Sequence, residues 1–484
     1  MVCVTAFLRD KNKFHNRQVL PLDCLFLIEE HFNNLWKNRG ESMHYYGTSK
    51  VNDAGHLEIG GVDTLVLVEK FGTPVYIYDV ELIRERARGF KQTFDQLGVK
   101  AQVAYASKAF STIAMVQLAN EEGLSLDVVS GGELYTAIAA DFPVERIHFH
   151  GNNKSKDELL MAIDYKIGCI VVDNFYELEM LQQLCEDKKT KMSILLRVTP
   201  GIEAHTHDYI LTGQEDSKFG FDLQNGQAEA ALLKAKESPF LELLGLHCHI
   251  GSQIFDTTGF VLAAKKIMTH LTEWKTNHGF ESQVLNLGGG FGIRYTAEDQ
   301  PIKPAEYVEV IIKEVKEQVS HLNMKMPEIW IEPGRSLVGD AGTTLYQIGS
   351  RKEVPNVRNY LAIDGGMSDN IRPALYQAKY EAVLANKPLQ APDETVSIAG
   401  KCCESGDMLI WDLPLPKADD KDVLAVFCTG AYGYSMANNY NRIPRPPVVF
   451  VENGEARLVV KRESFEDLLR LDLPFKEAAA SLKK

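Results

Sequence analysis

The sequence predicts an α/β protein in which a (β/α)8 barrel spans residues 80–337 and a mostly β second domain is assembled from 43–79 and 338–484. Two observations carry that reading. Between Ala101 and Arg335 a short β-branched run, a turn and an amphipathic helical stretch recur eight times, and after Gly339 the pattern gives way to short alternating runs. A third observation bears on function. Reactive residues stand where the barrel runs close, which is the end at which barrel enzymes keep their active sites.

Residues 1–42 are read as an extension outside the fold, non-native or disordered. The apolar run from Val19 is broken by Asp23 and soon meets Glu29 and Glu30, a poor signal-peptide core. Arg39-Gly40 resembles a translated purine-rich ribosome-binding sequence, which places the natural start at Met43. Leu57-Glu-Ile-Gly-Gly-Val and Thr73-Pro-Val-Tyr-Ile-Tyr are strand-like and are expected to join the second domain. The eight barrel runs are Gln102–Ala106, Leu124–Val129, Arg146–His150, Cys169–Val172, Ser193–Val198, Leu243–His249, Val284–Leu287 and Glu328–Ile331. Stretches such as Asp157-Glu-Leu-Leu-Met-Ala-Ile and Val308-Glu-Val-Ile-Ile-Lys-Glu-Val carry the helical period between them. Beyond Gly339, Leu345-Tyr-Gln-Ile, Tyr360-Leu-Ala-Ile, Thr395-Val-Ser-Ile, Val423-Leu-Ala-Val-Phe and Ala456-Arg-Leu-Val-Val read as strands of the second domain.

A chain of 484 residues, 45% hydrophobic and 24% charged, fits two globular domains with sizeable cores. The net charge of -14 argues against nucleic acid and anionic membranes as partners, while leaving room for a local cationic pocket. The 8 cysteines are scattered with no CxxC pair, which suits reduced thiols in the cytoplasm. No apolar run approaches the roughly 20 residues that span a bilayer.

The chemistry follows from the residues that close each run. Lys108 closes the first, Asp127 and Ser130 the second, His150 the third, Arg197 the fifth, His249 the sixth, Gly288-Gly-Gly290 the seventh, and Glu332 with Arg335 the eighth. A strand-end lysine is most simply a solvated cation. If desolvated, its pKa falls and it becomes the neutral nucleophile that forms a Schiff base. Gly288-Gly-Gly-Phe-Gly292 lets backbone N–H groups approach a phosphate, or is merely a tight turn; Ile293 breaks the GxGxxG dinucleotide pattern. Glu332-Pro-Gly-Arg335 adds a carboxylate able to pair with a pyridine nitrogen. Lysine anchor, anion cradle and carboxylate together are what pyridoxal 5'-phosphate requires. His247-Cys-His249 and His205-Thr-His207-Asp208 have metal-like spacing. Strand alternation puts only one of His247 and His249 in a given layer, and the second motif sits in a polar loop, so no metal is expected.

Tyr105-Ala-Ser-Lys108-Ala, Asp127-Val-Val-Ser-Gly-Gly-Glu133, His247-Cys-His-Ile-Gly-Ser-Gln253, Gly288-Gly-Gly-Phe-Gly292, Glu332-Pro-Gly-Arg335, Cys402-Cys-Glu-Ser-Gly-Asp407 and Gly430-Ala-Tyr-Gly433 together resemble the diaminopimelate decarboxylases, from about Met43 to the C-terminal end. These are fold-type III pyridoxal phosphate enzymes, with a barrel, a β domain and head-to-tail dimers whose sites form between subunits. The resemblance implies conversion of meso-2,6-diaminopimelate to L-lysine and CO2, the last step of lysine biosynthesis. It implies that Lys108 anchors the cofactor, that His249 stacks on its ring, and that Asp127, Ser252, Gly289, Gly290 and the turn Glu332, Gly334, Arg335 hold it. Glu332 would meet the pyridine nitrogen. Arg335, Arg372 and Tyr376 would bind the distal carboxylate and Glu404 the distal ammonium. Cys403 would donate the proton, supplied with Glu404 by the partner subunit, and Tyr432 would touch both cofactor and substrate. Taken by itself, without the motif, Cys403 reads more simply as a buried, inert thiol.

The rival readings are decarboxylation of ornithine, arginine or carboxynorspermidine, amino-acid racemisation, and a catalytically silent homologue. A simple diamine would leave a buried arginine unpaired, which favours a substrate carrying a distal carboxylate. The racemase pattern sets arginine, not Glu332, against the pyridine nitrogen. Retention of Lys108, Cys403 and Tyr432 argues against a silent homologue.

Overall fold

The computed structural model describes residues 44–202 and 217–475, so the expectations for the N-terminal extension, the start at Met43 and the His205-Thr-His207-Asp208 loop fall outside the described residues. All eight barrel runs are strands, and all pair in parallel. Ala101–Ala106, Ser125–Val128, Ile147–Phe149, Cys169–Val172, Met192–Thr199, Leu241–His247, Val284–Asn286 and Glu328–Ile331 follow one another around the sheet. The last closes on the first with Ile329 opposite Ala101 and Ile331 opposite Val103. Closure removes every sheet edge and leaves a packed interior, where Cys169, Val171, Leu195, Val284 and Trp330 form one buried cluster.

Local chemistry sets the helix starts. Ser155 and Glu158 form a capping box ahead of Lys156–Tyr165, and Asn174 caps Phe175–Lys188. Ser130, a candidate site residue by position, is used in the same way: its hydroxyl accepts from the Glu133 N–H and caps Gly131–Ala139.

The second domain is a nine-stranded sheet organised around the long strand Gly342–Val354. Its first half pairs with Val75–Asp79 on one side and Val423–Val426 on the other, and its second half with Arg358–Ile363. Glu394–Ala399, Met408–Leu415, Ala382–Leu384, Val448–Glu452 and Glu455–Val460 complete it. Thr73-Pro-Val-Tyr-Ile-Tyr thus supplies a central strand. Leu57–Ile59 does not join; it forms a three-stranded sheet with Lys50–Val51 and Val62–Asp63, bonded to this domain through Leu57 N–H and Ala385 O at 2.7 Å.

Barrel and sheet meet at the turn carrying Lys108. The Phe110 ring stacks on Tyr78 with centroids 4.3 Å apart, the Tyr78 hydroxyl donates to Gly430 O, and the Tyr432 N–H donates to Ala109 O at 2.8 Å. The first and third contacts tie the second domain to one end of the first barrel strand, and the second braces Tyr78 within that domain.

On the opposite flank, buried Lys154 donates to Gly151 O, Val171 O and Glu177 Oε1, each at 2.8 Å, and so fixes the loop that follows His150. Burial pushes the Glu177 carboxyl upward, and the Lys154 ammonium opposes it. Replacing Lys154 by Met leaves a buried acid without its partner, at an expected cost of about 3–5 kcal/mol. Thermal unfolding should show a clearly lowered midpoint for Lys154→Met and substantial recovery in the Lys154→Met/Glu177→Leu double variant.

Candidate active site

A cavity of about 820 Å³ opens between the C-terminal ends of the barrel strands and the second domain. It brings together ten of the expected site residues: Lys108, Asp127, His249, Ser252, Gly290, Glu332, Gly334, Arg335, Arg372 and Tyr432, with Tyr376 at its rim. Lys108 follows the first strand in a single 3-10 turn and projects into this space. Solvent reaches its amine, yet protein walls surround it, so it is both accessible and partly desolvated. The expectation of a lowered pKa is corrected. Burial pulls downward, but Tyr432, Asp127 and Glu332 outweigh it and hold the amine above the ordinary lysine range. Lys108 is a cation among carboxylates.

Glu332 closes the eighth strand with both carboxylate oxygens engaged. Asn286 Nδ2 donates to Oε1 at 2.6 Å and His247 Nε2 contacts Oε2 at 3.1 Å. His150 Nε2 lies 3.0 Å from Oε1, close enough to act electrostatically although misaligned for a hydrogen bond. Burial alone would raise the Glu332 carboxyl; the two imidazoles overcome it and hold it well below the usual range. Burial likewise depresses His247 to about 4, against the pull of the Glu332 charge beside it. Asp127 takes the opposite course. Burial raises it, and the nearby Glu332 charge adds to the shift against the pull of His150.

The glycine turn has a mechanical cause as well as a chemical one. A Cβ on Gly289 would lie 2.0 Å from Glu332 O, and one on Gly290, at φ +106°, would lie 2.3 Å from Gly251 O. Gly289 donates its N–H to His249 Nδ1 at 3.2 Å and does not line the cavity, so it orients the imidazole at this site. Burial and the Lys108 charge hold His249 well below the usual histidine range, leaving a neutral ring facing the cavity.

Two buried guanidinium groups face the same space. Arg335 donates to Ser252 Oγ at 3.0 Å and to the Tyr295 hydroxyl, and its Nε has no hydrogen-bond partner. Arg372 donates to the Tyr380 hydroxyl at 2.6 Å and lies over the Tyr295 ring at 4.9 Å. Among the described residues no carboxylate forms an ion pair with either. Tyr432 packs under Arg335 at 5.0 Å and holds a left-handed backbone, φ +61°. Cys403 and Glu404 are absent from this cavity. They sit exposed on the turn after Glu394–Ala399, where the Cys403 N–H is held by Asn441 Oδ1 at 2.7 Å.

Pyridoxal phosphate fits these groups. Lys108 supplies a primary amine, Gly290 a surface that no side chain could share, and Arg335 an unpaired cation for an anion. The buried Asp127 Oδ1 has no hydrogen bond, and the His150 Nε2 lies 3.7 Å from it. His150, His247 and Glu332 also bring three potential metal-ligand atoms within 4.8 Å of one another. The Asn286 amide already donates to that carboxylate, which marks a hydrogen-bonded cage. Sequence reading passed over Asn286, Tyr295 and Tyr380. Of these, only Asn286, a fully buried amide inside an apolar strand, carried a visible signal.

Residues 80–339 match the family described as pyridoxal-dependent decarboxylase, pyridoxal binding domain. The chain is 78% identical to the diaminopimelate decarboxylase of Bacillus methanolicus over 421 residues, covering 87% of this chain and 98% of that one. It is 70% identical to the diaminopimelate decarboxylase of Bacillus subtilis (strain 168) over 434 residues, 90% and 99% of the two chains. The crystal structure of the M. jannaschii diaminopimelate decarboxylase in co-complex with L-lysine superposes with a TM-score of 0.83 at 36% identity, over 89% of this chain and 99% of that one. With a barrel, a lysine-bearing cavity and a pair of buried arginines lining it, and with relatives this similar along nearly their whole lengths, the chain belongs to the pyridoxal-dependent decarboxylases, within the diaminopimelate decarboxylase family.

Proposed function

We propose that this chain decarboxylates meso-2,6-diaminopimelate to L-lysine and CO2 with pyridoxal phosphate, as the final step of lysine biosynthesis. The observation that carries the reading is the buried pair Arg335 and Arg372, two cations facing one cavity with no carboxylate partner among the described residues. A buried cation without a counter-charge is costly, and an anion arriving with cofactor or substrate relieves that cost. One anion suits the cofactor phosphate and the other a distal substrate carboxylate. Ornithine and arginine have no distal carboxylate.

The residues divide the work by position. Lys108 would hold the cofactor covalently and release it to the incoming substrate amine. Ser252, Gly290, Gly334 and Arg335 would hold its phosphate end, His249 would lie against its ring, and Glu332, with Asp127 beside it, would face its nitrogen. When bound, pyridoxal phosphate supplies an electron sink for the pair released as CO2 departs. Arg372 and Tyr376 would fix the distal carboxylate, and through it the orientation of the reacting carbon. Tyr432 would bound the substrate side, below Arg335. Cys403 would deliver a proton to that carbon and Glu404 would meet the distal ammonium, both from the partner subunit of a homodimer. Their exposure, outside the cavity of their own chain, supports that arrangement. Among the described residues no helix is long and apolar enough to cross a membrane, in keeping with a cytoplasmic enzyme.

Purified protein with pyridoxal phosphate should release CO2 and L-lysine from diaminopimelate, and none from parallel tubes of ornithine or arginine. CO2 from ornithine alone would refute the substrate. Lys108→Ala should lose turnover; activity like that of the wild type would overturn the anchor. Arg372→Leu should raise KM for diaminopimelate by about tenfold or more, the loss of one charged hydrogen-bonded contact, while cofactor content stays unchanged. Mixing the inactive Lys108→Ala and Cys403→Ala chains should restore up to about a quarter of wild-type activity, because a mixed two-fold dimer has one intact composite site. No recovery after verified chain exchange would place Cys403 in its own subunit's site.

A further inference from the structure

We propose that His150 and His247 are positioning residues that, with Asn286, keep the Glu332 carboxylate charged and aimed so that it would accept a hydrogen bond from the protonated ring nitrogen of the bound cofactor. The inference rests on the pyridoxal phosphate reading above and goes further, assigning work to residues that need not touch substrate. Glu332 is buried, and among the described residues no lysine or arginine pairs with it. A lone buried carboxyl takes up a proton, and in that form it is a donor that cannot stabilise a protonated ring nitrogen. Here the third, sixth and seventh barrel strands each send one polar group against the eighth: His150, which immediately follows its strand, at 3.0 Å, His247 at 3.1 Å and Asn286 at 2.6 Å. The imidazoles meet edge to face with centroids 4.9 Å apart, so neither can swing away without displacing the other.

The third histidine of this layer shows what a merely structural one does. His148 lies flat on Trp330, centroids 4.1 Å apart and 5° from parallel, and burial holds it at about 3 against the pull of the Glu332 charge. His247 has the reverse arrangement: its Nε2 faces the carboxylate while its buried Nδ1 has no hydrogen bond. The buried Nδ1 of His148 is likewise without a hydrogen bond, so what distinguishes His247 is its Nε2, 3.1 Å from the carboxylate.

The test compares two cofactors that differ in one atom. Apo protein is titrated with pyridoxal phosphate and with its 1-deaza analogue, in which C–H replaces the ring nitrogen, and Kd is read from absorbance and fluorescence. His247→Phe and His150→Phe should each weaken pyridoxal phosphate by about tenfold, the scale of one hydrogen bond to a charged group, and leave the deaza analogue within about twofold. His247→Gln, which restores an N–H donor, should recover most of the affinity. Equal weakening of both cofactors would reduce the histidines to packing and overturn the proposal, as would unchanged affinity for both. Wild-type protein that binds neither would overturn the cofactor reading itself, and the clamp with it.

Discussion

An ionised carboxylate inside a closed barrel is the constraint around which this structure is arranged. Water stabilises such a charge from outside; here Glu332 is buried and three protein side chains converge on it. The barrel solves this by converging strands: neighbours that are far apart in sequence end in one ring, so His150, His247 and Asn286 reach a single side chain. Asn286 serves a second partner as well, its Oδ1 accepting from the Gly288 N–H at 2.9 Å, which ties the carboxylate to the glycine turn. The apolar cluster of Cys169, Val171, Leu195, Val284 and Trp330 fills the interior and excludes water, which strengthens the electrostatics near the cavity.

A second balance lies where barrel and sheet meet. Arg335 and Arg372 stand on either side of Tyr295, 5.6 and 4.9 Å from its ring, and hydroxyls of Tyr295 and Tyr380 take one hydrogen bond from each. Aromatic faces and phenols keep the cations tolerable without neutralising them. A carboxylate in their place would make the resting protein more comfortable and the binding of an anion weaker. Lys108 shows the converse. Surrounded by Asp127, Glu332 and Tyr432, it holds its proton, so its reactivity does not come from desolvation alone.

The architecture was legible because its signals are periodic: each barrel run alternates with an amphipathic helix, and each became a strand in parallel register. The cavity lining was legible from strand ends, since in a barrel every strand ends at the same rim. What could not be read were relations that depend on rotation about the barrel axis or on neighbouring charges. Nothing in the run Val284-Leu-Asn286 says that its amide meets Glu332. Lys108 was expected with a lowered pKa because one effect, burial, is local to its own segment, while the three opposing groups come from distant positions. Tyr295 and Tyr380 lie in loops, and loop direction is set by the contacts of the folded chain.

The turn carrying Cys403 raises a different physical problem, since its side chain faces outward and receives no order from the cavity. The buried Asp407 carboxylate accepts N–H bonds from Cys402 at 2.8 Å and from Met367 at 2.6 Å, while Lys401 N–H reaches Gly365 O at 2.9 Å and Asn441 holds Cys403 itself. Gly366 and Gly400 press so closely on Asp407 that a Cβ on either would lie 2.4 Å or less from its carboxylate. Burial pushes that carboxyl upward, and the two backbone N–H groups pull it back. A turn that only decorated the surface would gain little from a buried acid. One that must present a thiol and a carboxylate in fixed relation to another surface gains a great deal, because order established within one chain need not be created on association. The barrel and the sheet domain thus each enclose one carboxylate in donors, Glu332 at the cavity and Asp407 beneath the turn of Cys403 and Glu404.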